Sequence, residues 1–259
     1  MFGKKEKNIL KQPKIYSPPK EQKPFVFPRY LKIILVVLIG LAAIIYLIFF
    51  STIFKINNFQ IIGNIPEDSN KKIESARGQN IFFYSSKELE DGLIKENPQF
   101  LNIKVSKGIP NLLRVKIEER SPQIIWKTNG KVFLVDEGGI AFKEIPTEES
   151  YTLPKVTDNK NINMTIPSQV ATSNFTIFIK DLSSKVNNDQ SYGVSISSFQ
   201  INETIFQVDA ITDKGFKMIF DTTRPLSDQL DAFLKVYKDH KDEIKEYIDL
   251  RVEGWVYYK

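Results

Sequence analysis

Residue types that commonly carry out chemistry are few in this sequence, and they do not form a catalytic pattern. The 259 residues include no cysteine and one histidine, His240, which excludes a disulfide framework, thiolate catalysis and zinc sites with cysteine ligands. His240 lies in the charged run Lys-Asp-His-Lys-Asp, which is typical of a solvated helix face. The sequence also contains no Gly-x-Ser-x-Gly nucleophile elbow and no phosphate-binding glycine loop.

Several pairs of carboxylates are adjacent in the sequence, but their spacing does not suit acid–base catalysis. Glu118-Glu119 and Glu148-Glu149 are neighbours in sequence, and in an extended strand neighbouring side chains point to opposite faces. Asp136-Glu137 precedes two glycines; the alternatives are a paired-carboxylate site and a turn whose carboxylates bond local backbone, and the turn is favoured. The sequence therefore predicts no catalytic residue, no cofactor and no metal, and it indicates a protein that binds.

The positive charge is concentrated at the N-terminus. The chain carries a formal +5, but residues 1–32 hold nine Lys or Arg and two Glu, so this tail carries +7 and the remainder −2. The basic balance is therefore no sign of nucleic-acid binding. Five of the thirteen prolines lie in the tail, whose few apolar residues cannot offset the entropy of ordering, so we expect it to be disordered.

An uncharged apolar run follows the tail over residues 33–54. As a helix it would span about 33 Å, enough to cross a hydrocarbon core of about 30 Å. It ends in bulky residues, unlike the small-residue cleavage site of a signal peptide. Because the basic residues precede the run, the positive-inside rule predicts a cytoplasmic tail and an extracytoplasmic remainder. We therefore predict a single-pass transmembrane anchor.

The first segment after the anchor predicts a small module of the order β-α-α-β-β. A short strand comes first, followed by two amphipathic helices near 68–76 and 85–97, with Ser85 as a helix N-cap. Alternation of apolar and polar residues over 101–105 and 113–117 then predicts a hairpin.

Three motifs in this segment carry a family resemblance. They are Phe59-x-Ile61-x-Gly63-Asn64, Gly78-Gln79-Asn80-Ile81-Phe82, and a run from Val105 that ends in Glu119-Arg120-x-Pro122. Together they resemble the POTRA domain of the FtsQ/DivIB bacterial cell-division proteins. POTRA domains also occur in outer-membrane assembly machinery, but the position directly after a single anchor favours the division family.

The remaining residues predict a β domain with two helices. Apolar residues at helical spacing indicate the helices, an Asn129-Gly130 turn indicates a hairpin, and short alternating runs indicate further strands. Tyr-Ile-Asp-Leu-Arg at 247–251 resembles the end of the FtsQ/DivIB β domain. No tail follows the last predicted strand, so any function that the family places in a C-terminal extension is expected to be missing.

The last predicted strand is the candidate partner-binding site. An extended strand at a sheet edge offers free N–H and C=O groups to an incoming strand, and Trp and Tyr supply contact area. The predicted residues fall on two faces, one with Leu250, Val252, Val256 and Tyr258 and the other with Arg251, Glu253, Trp255 and Tyr257, with Gly254 between them. The resemblance implies that FtsB-like (or DivIC-like) and FtsL-like coiled-coil proteins bind here, centred on Val252, Gly254 and Trp255. The alternative is that Trp255 and Tyr257 pack in the core.

We thus expect an α+β protein with a tail at 1–32, a transmembrane helix at 33–54, a POTRA domain at 55–121 and a β domain at 122–259. The resemblance implies a non-enzymatic divisome scaffold in the plasma membrane at the division septum, with its N-terminus in the cytoplasm. It would bind further division proteins through the POTRA domain and link early division proteins to septal peptidoglycan synthesis, without nucleic acid or a small-molecule substrate. The alternatives are a POTRA-containing chaperone or secretion component and a membrane-anchored enzyme acting on cell-wall material.

Overall fold

The computed structural model describes residues 28–259 together with Gly3 and residues 15–19. Most of the predicted basic tail lies outside the described residues. The chain divides into two compact units, and the second is Thr52–Lys259.

Helix α1 spans Arg29–Phe50 and begins directly after Pro28. None of its side chains is buried, and in the described residues it is the one helix that is long and apolar enough to cross a membrane, by length and composition. It begins and ends four residues before the predicted span of 33–54. At its N-terminal end the helix begins before the uncharged run and includes Arg29 and Lys32. The long side chains of Arg and Lys at a helix end can direct their charges to water. At the other end, Thr52–Phe54 form a short 3₁₀ turn instead.

The first sheet contains three strands in the described residues, in the order β1-β3-β2, with β1 parallel and β2 antiparallel to β3. The predicted order β-α-α-β-β is confirmed, and Ser85 caps α3 by accepting a hydrogen bond from the Glu88 backbone N–H at 3.3 Å. The elements are β1 (Asn58–Ile62), α2 (Glu67–Glu74), α3 (Ser86–Glu96), β2 (Phe100–Gly108) and β3 (Leu112–Glu119). Their apolar faces enclose a small core that includes Ile73, Leu93, Phe100, Leu113 and Val115.

Arg120 of the Glu-Arg-x-Pro motif connects the first sheet to the second. Its Nη1 pairs with the Asp136 carboxylate, both side chains being largely buried, and its Nε donates to the Pro98 carbonyl oxygen at 3.1 Å. The other Asp136 oxygen accepts from the Ile140 backbone N–H at 2.9 Å. The predicted turn role of Asp136 is therefore confirmed. The paired-carboxylate alternative is wrong, because Arg120 occupies this carboxylate and Glu137 is exposed.

The second sheet contains ten strands in the described part of the chain, in the order β13-β12-β11-β10-β9-β7-β4-β5-β6-β8. The predicted Asn129-Gly130 turn joins β4 to β5, and both of its residues have positive φ angles, 46° and 72°, as a two-residue hairpin turn requires. The elements are β4 (Pro122–Thr128), β5 (Lys131–Asp136), β6 (Ile140–Ile145), β7 (Lys155–Asp158), β8 (Ser168–Gln169), α4 (Ser173–Asn188), β9 (Ile196–Ile201), β10 (Gln207–Thr212), β11 (Lys217–Asp221), α5 (Leu226–His240), β12 (Tyr247–Asp249) and β13 (Tyr257–Tyr258). The predicted α+β fold class is confirmed.

The main core lies between this sheet and helices α4 and α5. The predicted apolar face of α4 is buried, and its Phe175 and Phe178 make edge contacts with Trp126 and Phe220, with ring centroids 6.2 Å and 6.1 Å apart. Such pairs add to the free energy gained by burying the rings. A smaller cluster of Ile125, Leu134, Phe142 and Ile145 forms separately.

The predicted last strand, 250–258, is wrong. The structure instead has a parallel pairing of β12 with β11, a turn, and the two-residue strand β13 antiparallel to β12. Gly254 in this turn has a φ of +75°, a left-handed conformation that breaks the extended chain. The alternation of side chains inferred across 250–258 therefore does not hold.

Candidate partner-binding edge

Strand β12 lies between the candidate site and the rest of the second sheet. It pairs with β11, with Ile248 opposite Met218 and Asp249 opposite Ile219. The Leu250 backbone N–H continues this pairing by donating to the Ile219 carbonyl oxygen at 3.0 Å. Leu250 is 2% exposed and belongs to the core, so this predicted partner-binding residue supports the site without presenting its side chain to a partner.

Arg251 is held by a charged network. Its Nε and Nη2 donate to the Asp249 carboxylate at 2.9 Å and 2.6 Å, and its Nη1 donates to Gln207 Oε1 at 2.5 Å. Burial alone would raise the pKa of Asp249, but the hydrogen bonds and charge of Arg251 outweigh burial and lower that pKa. The same hydrogen bond from Arg251 to Asp249 raises the pKa of Arg251. The pair therefore stays charged at neutral pH and fixes the end of β12.

Arg224, which precedes α5, also holds this segment. Its Nη1 donates to the carbonyl oxygens of Leu250 and Arg251 at 3.0 Å and 2.7 Å. Sequence reasoning missed Arg224, Asp249 and Gln207, because their contacts join distant parts of the chain or run along a strand whose end was placed wrongly. The Asp-Leu-Arg spacing at 249–251 was the one local signal for this network.

The turn after Arg251 exposes most of the remaining predicted residues. Its backbone closes with a hydrogen bond from the Trp255 N–H to the Val252 carbonyl oxygen at 3.2 Å. Val252, Trp255 and Tyr257 are 47%, 67% and 53% exposed, and Glu253 and Gly254 are exposed as well. The alternative that Trp255 and Tyr257 pack in the core is therefore wrong. Val256 and Tyr258 are half-buried against the core.

Strand β13 forms one edge of the second sheet. The Lys259 N–H donates to the Tyr247 carbonyl oxygen at 3.0 Å, and the Lys259 carbonyl oxygen accepts from the Tyr247 N–H at 3.3 Å. In an antiparallel pair such bonded positions alternate with positions whose N–H and C=O point away from the partner strand. Tyr258 occupies such a position, and in residues 28–259 no strand pairs with its outer side. It offers one donor and one acceptor to an incoming strand.

The Tyr258 side chain anchors β13 to the end of α5. Its hydroxyl donates to Glu243 Oε2 at 2.9 Å and lies 3.1 Å from His240 Nδ1. The hydrogen bond from Tyr258, followed by that from His240, lowers the pKa of Glu243, and the same contact with Glu243 raises the pKa of Tyr258. The single histidine, predicted to be solvated, is thus a structural contact of the edge strand. Among the described residues no cluster of three or more His, Cys, Asp or Glu could hold a metal ion.

A groove of about 560 Å³ lies between α5 and the turn that precedes β13. Asp228, Asp231 and Lys235 line it from α5, and Val252 and Trp255 line it from the turn. Its charges are mixed, and apolar side chains line it from both sides, Ala232 and Val236 from α5 and Val252 and Trp255 from the turn. The open backbone position of β13 and the exposed aromatic side chains beside it suit the binding of an extended peptide.

Comparison with known proteins places this site near the end of a recognised domain. Residues 124–251 match the family described as Cell division protein FtsQ/DivIB, C-terminal, so the turn and β13 follow the matched residues. The chain is 37% identical to Cell division protein FtsQ of Rickettsia felis over 89 residues, which are 33% of each chain. It is 32% identical to FtsQ of Rickettsia typhi over 112 residues, 42% of each chain. It is 27% identical to Cell division protein DivIB of Clostridium botulinum over 93 residues, 35% of this chain and 36% of that one. The matches thus span about a third to two fifths of these relatives' length.

Proposed function

Because this chain belongs, through residues 124–251, to the FtsQ/DivIB family of cell-division proteins, we propose that it acts in bacterial cell division as a non-enzymatic, membrane-anchored scaffold. The observation that carries the proposal is the open edge of β13, where Tyr258 directs its backbone N–H and C=O outward beside exposed Trp255 and Tyr257. A surface of this kind suits the addition of a strand from another protein.

The partners proposed for this edge are FtsB-like (or DivIC-like) and FtsL-like coiled-coil division proteins. Main-chain hydrogen bonds to Tyr258 would fix the register of the added strand, and Trp255 and Tyr257 would cover its side chains. The Asp249–Arg251 pair and Arg224 hold the preceding segment in place, so the surface is formed before a partner arrives. A preformed surface reduces the entropy lost on binding.

The remaining parts of the chain complete the scaffold. Helix α1 would anchor the protein in the plasma membrane at the division septum, with the basic tail in the cytoplasm and the two sheets outside. The first sheet, a POTRA-like module, would receive further division proteins. The assembled complex would then connect early division proteins with septal peptidoglycan synthesis.

Two substitutions at one position test strand addition. Tyr258→Ala and Tyr258→Pro both remove the ring and its contact with Glu243, but proline also removes the outward N–H. In the full-length chain, co-purified with its FtsB- or DivIC-like partner, we expect Tyr258→Ala to retain measurable binding and Tyr258→Pro to lose it. Equal binding by the two variants, both folded by circular dichroism, would contradict strand addition.

The cellular role is tested by localisation of the full-length chain fused to a fluorescent protein. A band at midcell is expected. Uniform envelope fluorescence from a functional, membrane-inserted fusion would count against a division role and favour a general envelope chaperone or secretion component.

A further inference from the structure

Three segments meet at the end of the first sheet where the parallel strands β1 and β3 both begin. The Ile56 N–H donates to the Gln79 carbonyl oxygen at 2.9 Å, and the Ile81 N–H donates to the Phe54 carbonyl oxygen at 2.9 Å. The Asn57 N–H donates to the Asn111 carbonyl oxygen at 3.2 Å. These bonds hold residues 52–58, 78–84 and 107–111 together, and we call this surface the tether end.

The tether end exposes large apolar side chains. Phe82, Phe83 and Ile109 are 41%, 58% and 71% exposed, and the Phe82 ring lies against Phe54 with ring centroids 5.0 Å apart. Soluble surfaces expose single apolar side chains routinely, but several together mark a contact surface. The exposed side chains of the tether end therefore suit contact with an apolar surface.

The charges at the tether end have one sign. Residues 52–58, 78–84 and 107–111 contain no Asp or Glu, whereas Lys55 and Lys107 are exposed there. The Lys107 ammonium donates to the Phe82 carbonyl oxygen at 3.3 Å, which places a positive charge at the backbone of the Phe82 segment. Apolar side chains flanked by lysines match the interface of a bilayer that contains anionic lipids.

Chain length keeps the tether end near the membrane. Phe54 follows Phe50, the last residue of α1, by four residues, and four extended residues span at most about 14 Å. If α1 crosses the bilayer, Phe54 cannot lie farther than this from the end of the helix. A weak affinity for lipid then suffices, because the tether makes the effective lipid concentration high.

We infer that the tether end binds the surface of the membrane that α1 spans. Phe82, Phe83 and Ile109 insert into the interfacial layer, and Lys55 and Lys107 contact anionic head groups. This inference rests on the membrane anchor in the proposed function. It gives the first sheet a second attachment to the membrane, which restricts its motion about the short connection.

Because the chain has no cysteine, a single nitroxide label can be placed by substitution. We would compare Ile109→Cys with Ile162→Cys, which is also exposed, at 51%, but lies in the second sheet's loops. Gly40→Cys, with no atom near its added side chain, reports on α1. The full-length protein is reconstituted into vesicles of phosphatidylethanolamine and phosphatidylglycerol, and electron paramagnetic resonance measures label access to oxygen and to a water-soluble nickel chelate.

The three labels separate the possible results. We expect the ratio of oxygen to nickel access to be severalfold higher at 109 than at 162, and highest at 40. A label at 109 as accessible to nickel as that at 162, with position 40 in lipid, would overturn membrane contact and leave the anchor intact. A label at 40 that is accessible to nickel would overturn the anchor and this inference together.

A matched pair of variants tests which side chains make the contact. In the Ile109→Cys background, Phe82→Ser is expected to lower the oxygen-to-nickel ratio towards that at 162. Phe206→Ser removes another exposed ring, in the turn that precedes β10, and is expected to leave the ratio unchanged. Replacing phosphatidylglycerol by phosphatidylcholine should lower the ratio in the parent chain. Insensitivity of the ratio to both Phe82→Ser and lipid charge would overturn the assignment.

Discussion

The tether end and the partner-binding surface at residues 252–258, which we call the C-terminal edge, both expose large apolar side chains, but their surroundings differ. At the tether end, Phe82 and Ile109 stand beside Lys107 in segments without carboxylates. At the C-terminal edge, Trp255 and Tyr257 stand beside a strand with an open backbone position and a groove of mixed charge. Exposed apolar area is therefore not enough to identify a partner.

The neighbouring groups supply the missing information. Lysines without carboxylates suit a surface of anionic head groups, which has charge but no ordered backbone donors. An open N–H and C=O on a strand suit another polypeptide, because main-chain hydrogen bonds require a partner of fixed spacing. The two surfaces thus support different proposals, a lipid surface for one and a protein strand for the other.

The largest expected effect on the free energy of unfolding comes from the Arg120–Asp136 pair, which joins the two sheets. Arg120→Ala leaves the Asp136 carboxylate buried without its partner, so we expect the free energy of unfolding to fall by about 3 kcal/mol. It also removes the hydrogen bond to the Pro98 carbonyl oxygen. Urea unfolding, followed by circular dichroism, measures the change.

Arg114→Ala is the matched control for Arg120→Ala. Arg114 is exposed on β3, where its Nε donates to Gln60 Oε1 at 2.8 Å, and its loss is expected to cost at most about 0.5 kcal/mol. If Arg120→Ala and Arg114→Ala lower the free energy of unfolding equally, the Arg120–Asp136 pair does not couple the two sheets. The tether end and the C-terminal edge would then have to be treated as parts of independently folding modules.

A smaller effect should separate the two surfaces by function. Trp255→Ala is expected to weaken binding of the proposed coiled-coil partner by about 2 kcal/mol, or about 30-fold, because an exposed Trp at a strand edge is a typical binding hot spot. It should leave the lipid access of a label at 109 unchanged. Phe82→Ser should lower the lipid access of the label at 109 and leave partner binding unchanged. Partner titration and paramagnetic resonance on both full-length variants measure the two effects, and a variant that changes both equally would remove the distinction between the surfaces.

Local patterns predicted the helices and the first sheet well. Ser85 and the apolar spacing of α3 and α4 act within a few residues, so the sequence carries their signal directly. Strands β7 and β8 were missed, because they have four and two residues and too little alternation to detect.

Partner binding by residues 250–258 stays a prediction, whereas the predicted extended form of this segment is wrong. The sequence indicated residues 250–258 as a binding segment, yet the left-handed conformation of Gly254 and the parallel pairing of β12 with β11 depend on contacts across the sheet. The same is true of the hydrogen bonds from Arg224 to the Leu250 and Arg251 carbonyl oxygens. Periodicity cannot reveal pairings between distant residues, so the exposure of Trp255 became clear only in the structure.

The smallest expected effect is a difference in acid sensitivity between the surfaces. The pKa of Asp249 is lowered from its ordinary value of 3.8, because the hydrogen bonds and charge of Arg251 outweigh the effect of burial. A carboxyl group whose pKa is lower in the folded state than in the unfolded state stabilises the fold at pH values above its unfolded-state pKa. This stabilisation is lost as the pH falls through the folded-state pKa. Asp249→Asn should therefore cost about 1 kcal/mol of unfolding free energy near neutral pH, and the difference from the parent chain should shrink below about pH 4.

Asp181→Asn, on the exposed side of α4, is the control and should show little difference at any pH. The tether-end segments contain no carboxylate, so the lipid access of a label at 109 should stay constant from about pH 7 to about pH 4, over which the lipid phosphates also keep their charge. Urea unfolding across pH, together with the label measurement, compares the two surfaces. Loss of lipid contact over this range would mean that acidic groups outside the three segments support the tether end, and the contrast in charge between the two surfaces would then be wrong.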